Sequence, residues 1–324
     1  MSPAENPYAL TPDQKAHFLT HGFVHLKNCF SREASAAFTA DLWTRLGMSP
    51  TDKSTWRVER TNMPSHTTIS VAEFAPKAWS AICEVLGGED RVADESRVWK
   101  DSFIVNLGTE GQGEVPPREL DNWHVDGDFF LHFLDSPEQA LLVIPIFSDI
   151  APNGGGTAVC SDGIGVVAKH LYNNPNGVTP WMDPRGTPEP PKDSAERLAF
   201  FKSVVKNKEQ ASDGSFHEMT GEVGDVYLLH PLMVHSATKN ATRNPRVITN
   251  PPVALKQPFE LRASPDGAKD FSLVAQKTLR ELGFPEGLET WKIDGEREMI
   301  VPMRVKIQEA MKEKERERLL KKAN

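Results

Sequence analysis

The sequence predicts an α+β fold, a mainly β core flanked by helices, on three observations. The N-terminal third carries helix caps and apolar residues at helical spacing. From about Trp99 onward come short apolar runs separated by Gly, Pro, Asn and Asp, the pattern of a barrel or sandwich. The final stretch, VPMRVKIQEAMKEKERERLLKKAN, reads as a charged helix.

Along the chain, Thr11 caps a first helix, with Pro12 and Asp13 suited to its first turn and Gly22 to its end. Phe23 to Leu26 then start an extended segment. Ser31 caps a second helix with Ala34, Phe38, Leu42 and Leu46 on one face and Gly47 after it. A third runs from Pro76 to Leu86, stopped by Gly87 and Gly88. Strand candidates follow at 102–107, 140–147, 157–160, 225–229 and 246–249. An insertion at 165–221 holds the proline-rich WMDPRGTPEPPKD and a helix from Ser194 to Lys206. Its length suits a lid or binding element as well as it suits a surface excursion. In the last helix Met303, Ile307, Ala310 and Met311 form one stripe, either docked on the core or paired in a homodimer. The expected organisation is a single domain over 1–324: a helical part at 1–98, a β core at 99–260 containing the insertion, and a C-terminal helical extension at 261–324.

The 324 residues are 39% hydrophobic and 25% charged, enough apolar content for a real core. A net charge of −8 argues against nucleic acid or an anionic membrane as the main partner and leaves a small-molecule substrate. No apolar run approaches the roughly 18 residues of a membrane span, and the N-terminus lacks the charged and apolar regions of a secretory signal. Cys29, Cys83 and Cys160 are odd in number and contain no CxxC, as expected of reduced thiols in a cytoplasmic protein.

The chemistry starts at NWHVDGDFF. On an extended strand, residues i and i+2 share a face with Cα atoms about 6.5–7 Å apart, so His124 and Asp126 converge while Val125 points away. Asp128 reads as a turn residue after Gly127. HxD alone is a weak signal, common by chance. A second element, GDVYLLHPLMVHSATKNATRNPRVITN, runs an apolar strand into His235 and, after a polar turn, into Arg246. Two imidazoles and one carboxylate form the facial set used for mononuclear non-haem Fe(II). A hydrolytic zinc site uses the same ligand types but usually leaves one position open. Arg246 favours iron: a guanidinium beside such a site grips a carboxylate through two parallel hydrogen bonds, which fits the far end of 2-oxoglutarate. His230 competes with His235, but their odd separation turns them to opposite faces of a regular strand.

Taken together, LTPDQKAHFLTHGFVHLKNCFS, WHVDGD with the downstream PNGGGTAV, and GDVYLLHPLMVHSATKNATRNPR resemble the phytanoyl-CoA dioxygenase family of Fe(II)- and 2-oxoglutarate-dependent oxygenases. The resemblance covers about residues 10 to 250. It implies a double-stranded β-helix (jelly-roll, cupin-like), Fe(II), 2-oxoglutarate and O2 as cofactors, His124, Asp126 and His235 as metal ligands, and Arg246 as the 2-oxoglutarate clamp. Where relatives often have Ser two residues after the distal His, this chain has Ala237, so Ser236, Thr238 and Thr157 are the candidates for the remaining cosubstrate contacts. Trp123, Phe129, Phe130 and, from the insertion, Trp181 are candidates for the substrate pocket. The implied reaction is dioxygenase hydroxylation of a small organic metabolite; a zinc hydrolase or a non-catalytic binding relative are the alternatives.

Overall fold

The computed structural model describes residues 6–191, 194–263 and 270–323. Helix α1 (Pro12–His21) starts at a capping box in which the Thr11 hydroxyl accepts from the Gln14 N–H while the Gln14 side chain accepts from that of Thr11. It ends at Gly22, left-handed at φ 74°. Strand β1 (Phe23–Leu26) follows. The helix expected from Ser31 to Leu46 is broken into α2 (Arg32–Phe38) and α3 (Leu42–Leu46). At the break the Thr39 hydroxyl donates to the Ser35 carbonyl (2.8 Å), a side-chain bond of the kind that competes with helix continuation. Next come β2 (Arg60–Asn62), β3 (Thr68–Ser70), α4 (Val71–Phe74), α5 (Pro76–Leu86), β4 (Val98–Lys100) and β5 (Ile104–Asn106). On α5, Trp79, Ile82, Val85 and Leu86 are buried, each such side chain contributing about 1.5–3 kcal/mol.

The second half runs β6 (Leu141–Pro145), β7 (Thr157–Cys160), α6 (Gly163–Asn173), α7 (Ala199–Lys206), β8 (Phe216–Met219), β9 (Val226–Leu229), β10 (Val234–Ala237), β11 (Arg246–Ile248), β12 (Pro252–Val253), α8 (Leu273–Leu282) and α9 (Arg304–Ala323). Helix α6 interrupts what reads as irregular insertion. Its glycines permit close approach: a Cβ on Gly163 would lie 2.7 Å from a methyl of Val234.

All named strand pairings are antiparallel. One sheet has the order β1-β9-β6-β12, and a bridge between Ile146 and Ile248 links it to β11-β5-β2. A third sheet is β10-β7-β8, extended on the β10 side by a bridge between His124 and His235. A small pair, β3-β4, stands apart, and no closed barrel forms among the described residues. The apolar run YLLHPLMVH is therefore two strands of two different sheets. His230 and Pro231 turn the chain between them, with the Met233 N–H donating to the His230 carbonyl (3.0 Å).

The C-terminal extension folds back over earlier helices, α8 against α1, α5 and α6, and α9 against α3. The stripe expected to dock α9 does not: Met303 and Ile307 face solvent at 62% and 50% exposure. The docked face carries Glu315, whose carboxylate meets Arg45 Nε and His66 Nε2, both at 2.9 Å, in a buried cluster that includes Asp101. Charged residues hold this face because Arg45, also fully buried, must be paired.

Candidate metal centre and cosubstrate site

His124 and His235 face each other across the bridge that extends the β10-β7-β8 sheet. Their backbones exchange both hydrogen bonds (2.9 and 2.8 Å), and their rings stand 4.4 Å apart. Asp126, two residues on, brings Oδ1 to 3.4 Å from His124 Nε2 and 3.6 Å from His235 Nε2. The three donor atoms lie within 4.8 Å of one another.

The surroundings fix which atoms face inward. His124 Nδ1 is 2.7 Å from the Asn122 carbonyl and His235 Nδ1 is 2.9 Å from that of Met233. A carbonyl only accepts, so each Nδ1 carries a hydrogen and each Nε2 is the nitrogen turned inward, the one that would give its lone pair to a cation. Asp126 Oδ2 accepts from Asn250 Nδ2 (3.1 Å), which leaves Oδ1 toward the imidazoles. Burial works against the Asp126 charge, but His235 and His124 beside it hold the carboxyl well below its ordinary range. Burial likewise opposes a charge on His235, yet Asp126 carries its pKa above the usual value. Two imidazole lone pairs and an ionised carboxylate on one point fit a divalent cation of the iron class.

Arg246 opens β11 opposite Asn106 of β5 and is 2% exposed. Its Nε donates to the Gly155 carbonyl (2.6 Å) and Nη1 reaches that of Ile104 (3.4 Å), and no carboxylate pairs with it among the described residues. Burial, with Arg60 nearby, pulls its pKa down to about 9, so the group stays charged at neutral pH. A buried guanidinium without an anion costs several kcal/mol. Its planar fork has the shape that accepts a carboxylate.

Strand register sorts the other candidates. His235 pairs with Val159 and Ala237 with Thr157, so buried Thr157 shares the face of His235. Ser236 points to the opposite face, against Ala158. Thr238 turns away too, its hydroxyl 3.0 Å from both the Gly156 carbonyl and Glu218 Oε1, beside a cavity lined by Phe216, Glu218 and Lys239. Neither belongs with the metal ligands. Trp123 also leaves the pocket: its Nε1 donates to the Pro117 carbonyl (2.9 Å) and its ring packs on Phe216. Phe130, with Asp126, His132 and Leu232, lines a small cavity, while Phe129 is half-buried beside it. In the insertion, Trp181 has Arg197 stacked on its ring at 3.7 Å, and among the described residues no hydrogen bond or ring contact joins it to the ligands. Cys160 is buried and its thiol pKa pushed up by that burial, which suits packing rather than nucleophilic work.

Two supporting residues gave no sequence signal. Asn250, before two prolines, reads as a turn residue, and His132 follows the motif at no ligand spacing. His132 is buried, its Nε2 donating to the Gly127 carbonyl (2.8 Å) while its ring stacks on Phe130. Burial pushes its pKa down to about 4, so it is neutral at pH 7. Gly127 sits at φ 115°, and a Cβ there would lie 2.6 Å from the Phe130 ring and 2.7 Å from His132. Gly127→Ala is expected to displace Asp126, costing about 1–3 kcal/mol of stability and about tenfold or more in Fe(II) affinity. Thermal melting and anaerobic metal titration check both, and unchanged affinity would separate this turn from the metal centre.

The model of the phytanoyl-CoA dioxygenase (PhyH) family matches residues 18–248. No curated protein matches. Among solved structures, the chain is similar to the non-haem alpha-ketoglutarate-dependent epimerase SnoN of nogalamycin biosynthesis, at 15% identity over 75% of this chain and 82% of that one (TM-score 0.40). HygX from Streptomyces hygroscopicus, with nickel, 2-oxoglutarate and hygromycin B bound, is 13% identical over 76% and 88% (TM-score 0.41). The carbocyclase SnoK, also of nogalamycin biosynthesis, is 15% identical over 90% and 97% (TM-score 0.42). With both imidazoles, the carboxylate and the arginine inside the matched 18–248, the chain belongs to the phytanoyl-CoA dioxygenase family, whose enzymes use Fe(II), 2-oxoglutarate and O2.

Proposed function

We propose that this enzyme hydroxylates a C–H bond of a small organic metabolite, coupled to the conversion of 2-oxoglutarate to succinate and CO2. The observation that carries the reading is Arg246, a buried charge with no carboxylate partner among the described residues, in a chain that also converges His124, Asp126 and His235. The iron, once bound with 2-oxoglutarate and O2, supplies an oxidant strong enough for an unactivated C–H bond. The chain's own residues do the rest. His124, Asp126 and His235 hold the cation, Nδ1 hydrogens on backbone carbonyls keep the imidazoles aimed, and Arg246 orients the cosubstrate by its far carboxylate. Thr157 is a hydroxyl on the face of His235 for a further cosubstrate contact, since Ala237 offers none. Phe130 and Leu232, in the cavity beside Asp126, restrict water near the reacting centre.

The finer fold follows the same reading. The sheet containing β6 and β9 and the sheet β10-β7-β8 are taken as the two halves of a double-stranded β-helix, in a single domain over 1–324. No helix of the described residues is long and apolar enough to cross a membrane; a cytoplasmic location belongs to this proposal. With a net charge of −8 a compact metabolite is favoured over a substrate bearing several phosphates.

The test is succinate formation from 2-oxoglutarate with Fe(II) and ascorbate, run against a panel of metabolites. Iron-dependent succinate that rises severalfold with one metabolite, together with a hydroxylated product, is expected. Zinc in anaerobically purified protein, with no 2-oxoglutarate turnover under any condition, would move the assignment to a hydrolase.

A further inference from the structure

The segment just before α9 lies beyond the family-matched 18–248 and passes over the loop that carries Asp126. That loop is poorly held by its own sheet. From Val125 to Phe130 no backbone N–H donates to a protein partner among the described residues. Its downstream end is paired instead with the C-terminal segment: the Leu131 N–H donates to the Glu298 carbonyl (2.9 Å) and the Ile300 N–H to that of Phe129 (2.7 Å), forming a bridge between Phe130 and Met299. Arg304, at the first residue of α9, then closes on Asp128 with both arms of its fork, Nε to Oδ2 at 2.6 Å and Nη2 to Oδ1 at 2.7 Å. Asp128 is two residues from the metal-binding carboxylate.

The segment is itself anchored on either side. Arg297 donates to Asp135 (2.8 Å), and Arg185 of the insertion reaches the Glu296 carbonyl (2.8 Å) and Glu298 (3.1 Å). Further on, Glu315 fixes α9 to buried Arg45. A strap tied at both ends thus crosses the ligand loop and grips it at the turn.

We infer that residues 297–304 position the metal centre, with Arg304 as the positioning residue that holds Asp128 and, through Gly127, the carboxylate of Asp126. The inference rests on the iron reading above. The pair contributes little to global stability, because Arg304 and Asp128 are 48% and 35% exposed and ion pairs this open are worth about 0–1 kcal/mol. Its effect is local, as for other groups that orient a metal ligand from behind. Such groups typically change metal affinity by about 10–100-fold.

The experiment is anaerobic Fe(II) titration of the full chain with 2-oxoglutarate present, alongside melting of the metal-free protein. Arg304→Ala and Asp128→Ala are each expected to weaken Fe(II) binding about tenfold and to shift metal-free melting by no more than about 2 °C. The exchanged pair Asp128→Arg with Arg304→Asp is expected to restore most of the affinity. Wild-type affinity in Arg304→Ala would overturn the inference. So would a loss that tracks a matching fall in metal-free melting and is not restored by the exchange. A wild-type chain that takes no Fe(II) would overturn the iron reading along with it, whereas a wild-type chain that binds Fe(II) while Arg304→Ala binds it equally strikes the strap alone.

Discussion

Arg246→Met is expected to raise the KM for 2-oxoglutarate about 10²–10⁴-fold while Fe(II) affinity in its absence stays near wild type. Two parallel charge-assisted hydrogen bonds to the far carboxylate are worth about 1.5–3 kcal/mol each, and every 1.4 kcal/mol is about tenfold. Metal affinity is spared because Arg246 supplies none of the three ligand atoms and its own bonds run to Gly155 and Ile104. The metal-free, cosubstrate-free protein should melt no lower than wild type. A lone buried cation costs several kcal/mol; the substitution removes it, against about 1–3 kcal/mol for the carbonyls left unpaired. Arg246→Lys is the informative companion. It keeps the charge but not the fork, so an intermediate KM is expected, with more than half of the loss retained. Succinate formation at varied 2-oxoglutarate reads all three proteins. A KM within threefold of wild type for Arg246→Met would mean that the buried charge serves some other anion.

The parts of the site that could be read in advance are those whose geometry is local. His124 and Asp126 come together because they are two residues apart, even though the structure gives only His124 a β-bridge and places Asp126 in the loop that follows, not on the extended strand expected. Thr11, Gln14 and Gly22 define α1 for the same reason, since caps act within a turn. What stayed hidden depends on which distant segment arrives alongside. Asn250 reaches Asp126 only because the chain after β11 returns to the ligand loop, and Arg304 meets Asp128 across more than half of the sequence. Strands β2, β3 and β4, of three residues each, are too short to show a period. Helix α6 was masked by Gly163 and Gly165, which discourage a helical reading but let it pack tightly on β10 and α8. Ser236 is a different kind of miss. Its hydroxyl is chemically suitable, yet strand parity alone sends it away from His235 and gives the inner position to Ala237.

His235→Ala should abolish measurable Fe(II) binding, a loss of at least about 100-fold, where His230→Ala leaves it intact. The two imidazoles compete in the sequence, but they stand on opposite sides of a change of sheet, His235 in β10 and His230 just past β9. His230 is fully buried and already committed, with Nε2 2.9 Å from the Thr278 hydroxyl and 3.3 Å from the Val274 carbonyl, and Nδ1 accepting from the Leu232 N–H at 3.1 Å. Burial, with Lys277 adding to it, pushes its pKa down to about 3, so it works as a neutral imidazole tying the turn before β10 to α8. Removing it leaves the Leu232 N–H without its acceptor, at about 1–3 kcal/mol, and opens a cavity, while the Thr278 hydroxyl keeps its bond to the Val274 carbonyl (3.1 Å). His230→Ala should therefore melt several degrees lower yet bind Fe(II) as wild type does once folded. His235 has the opposite profile: only its Nδ1 is committed, to the Met233 carbonyl, and its Nε2 faces Asp126. Losing it takes away one of three donors and also leaves the Asp126 carboxylate without the imidazole that holds it ionised, so metal-free melting should fall as well, and Fe(II) binding is the readout that separates the two variants. If His230→Ala loses the metal while His235→Ala keeps it, the third ligand is the buried imidazole against α8, and the chain between β9 and β10 must rearrange to bring it to Asp126.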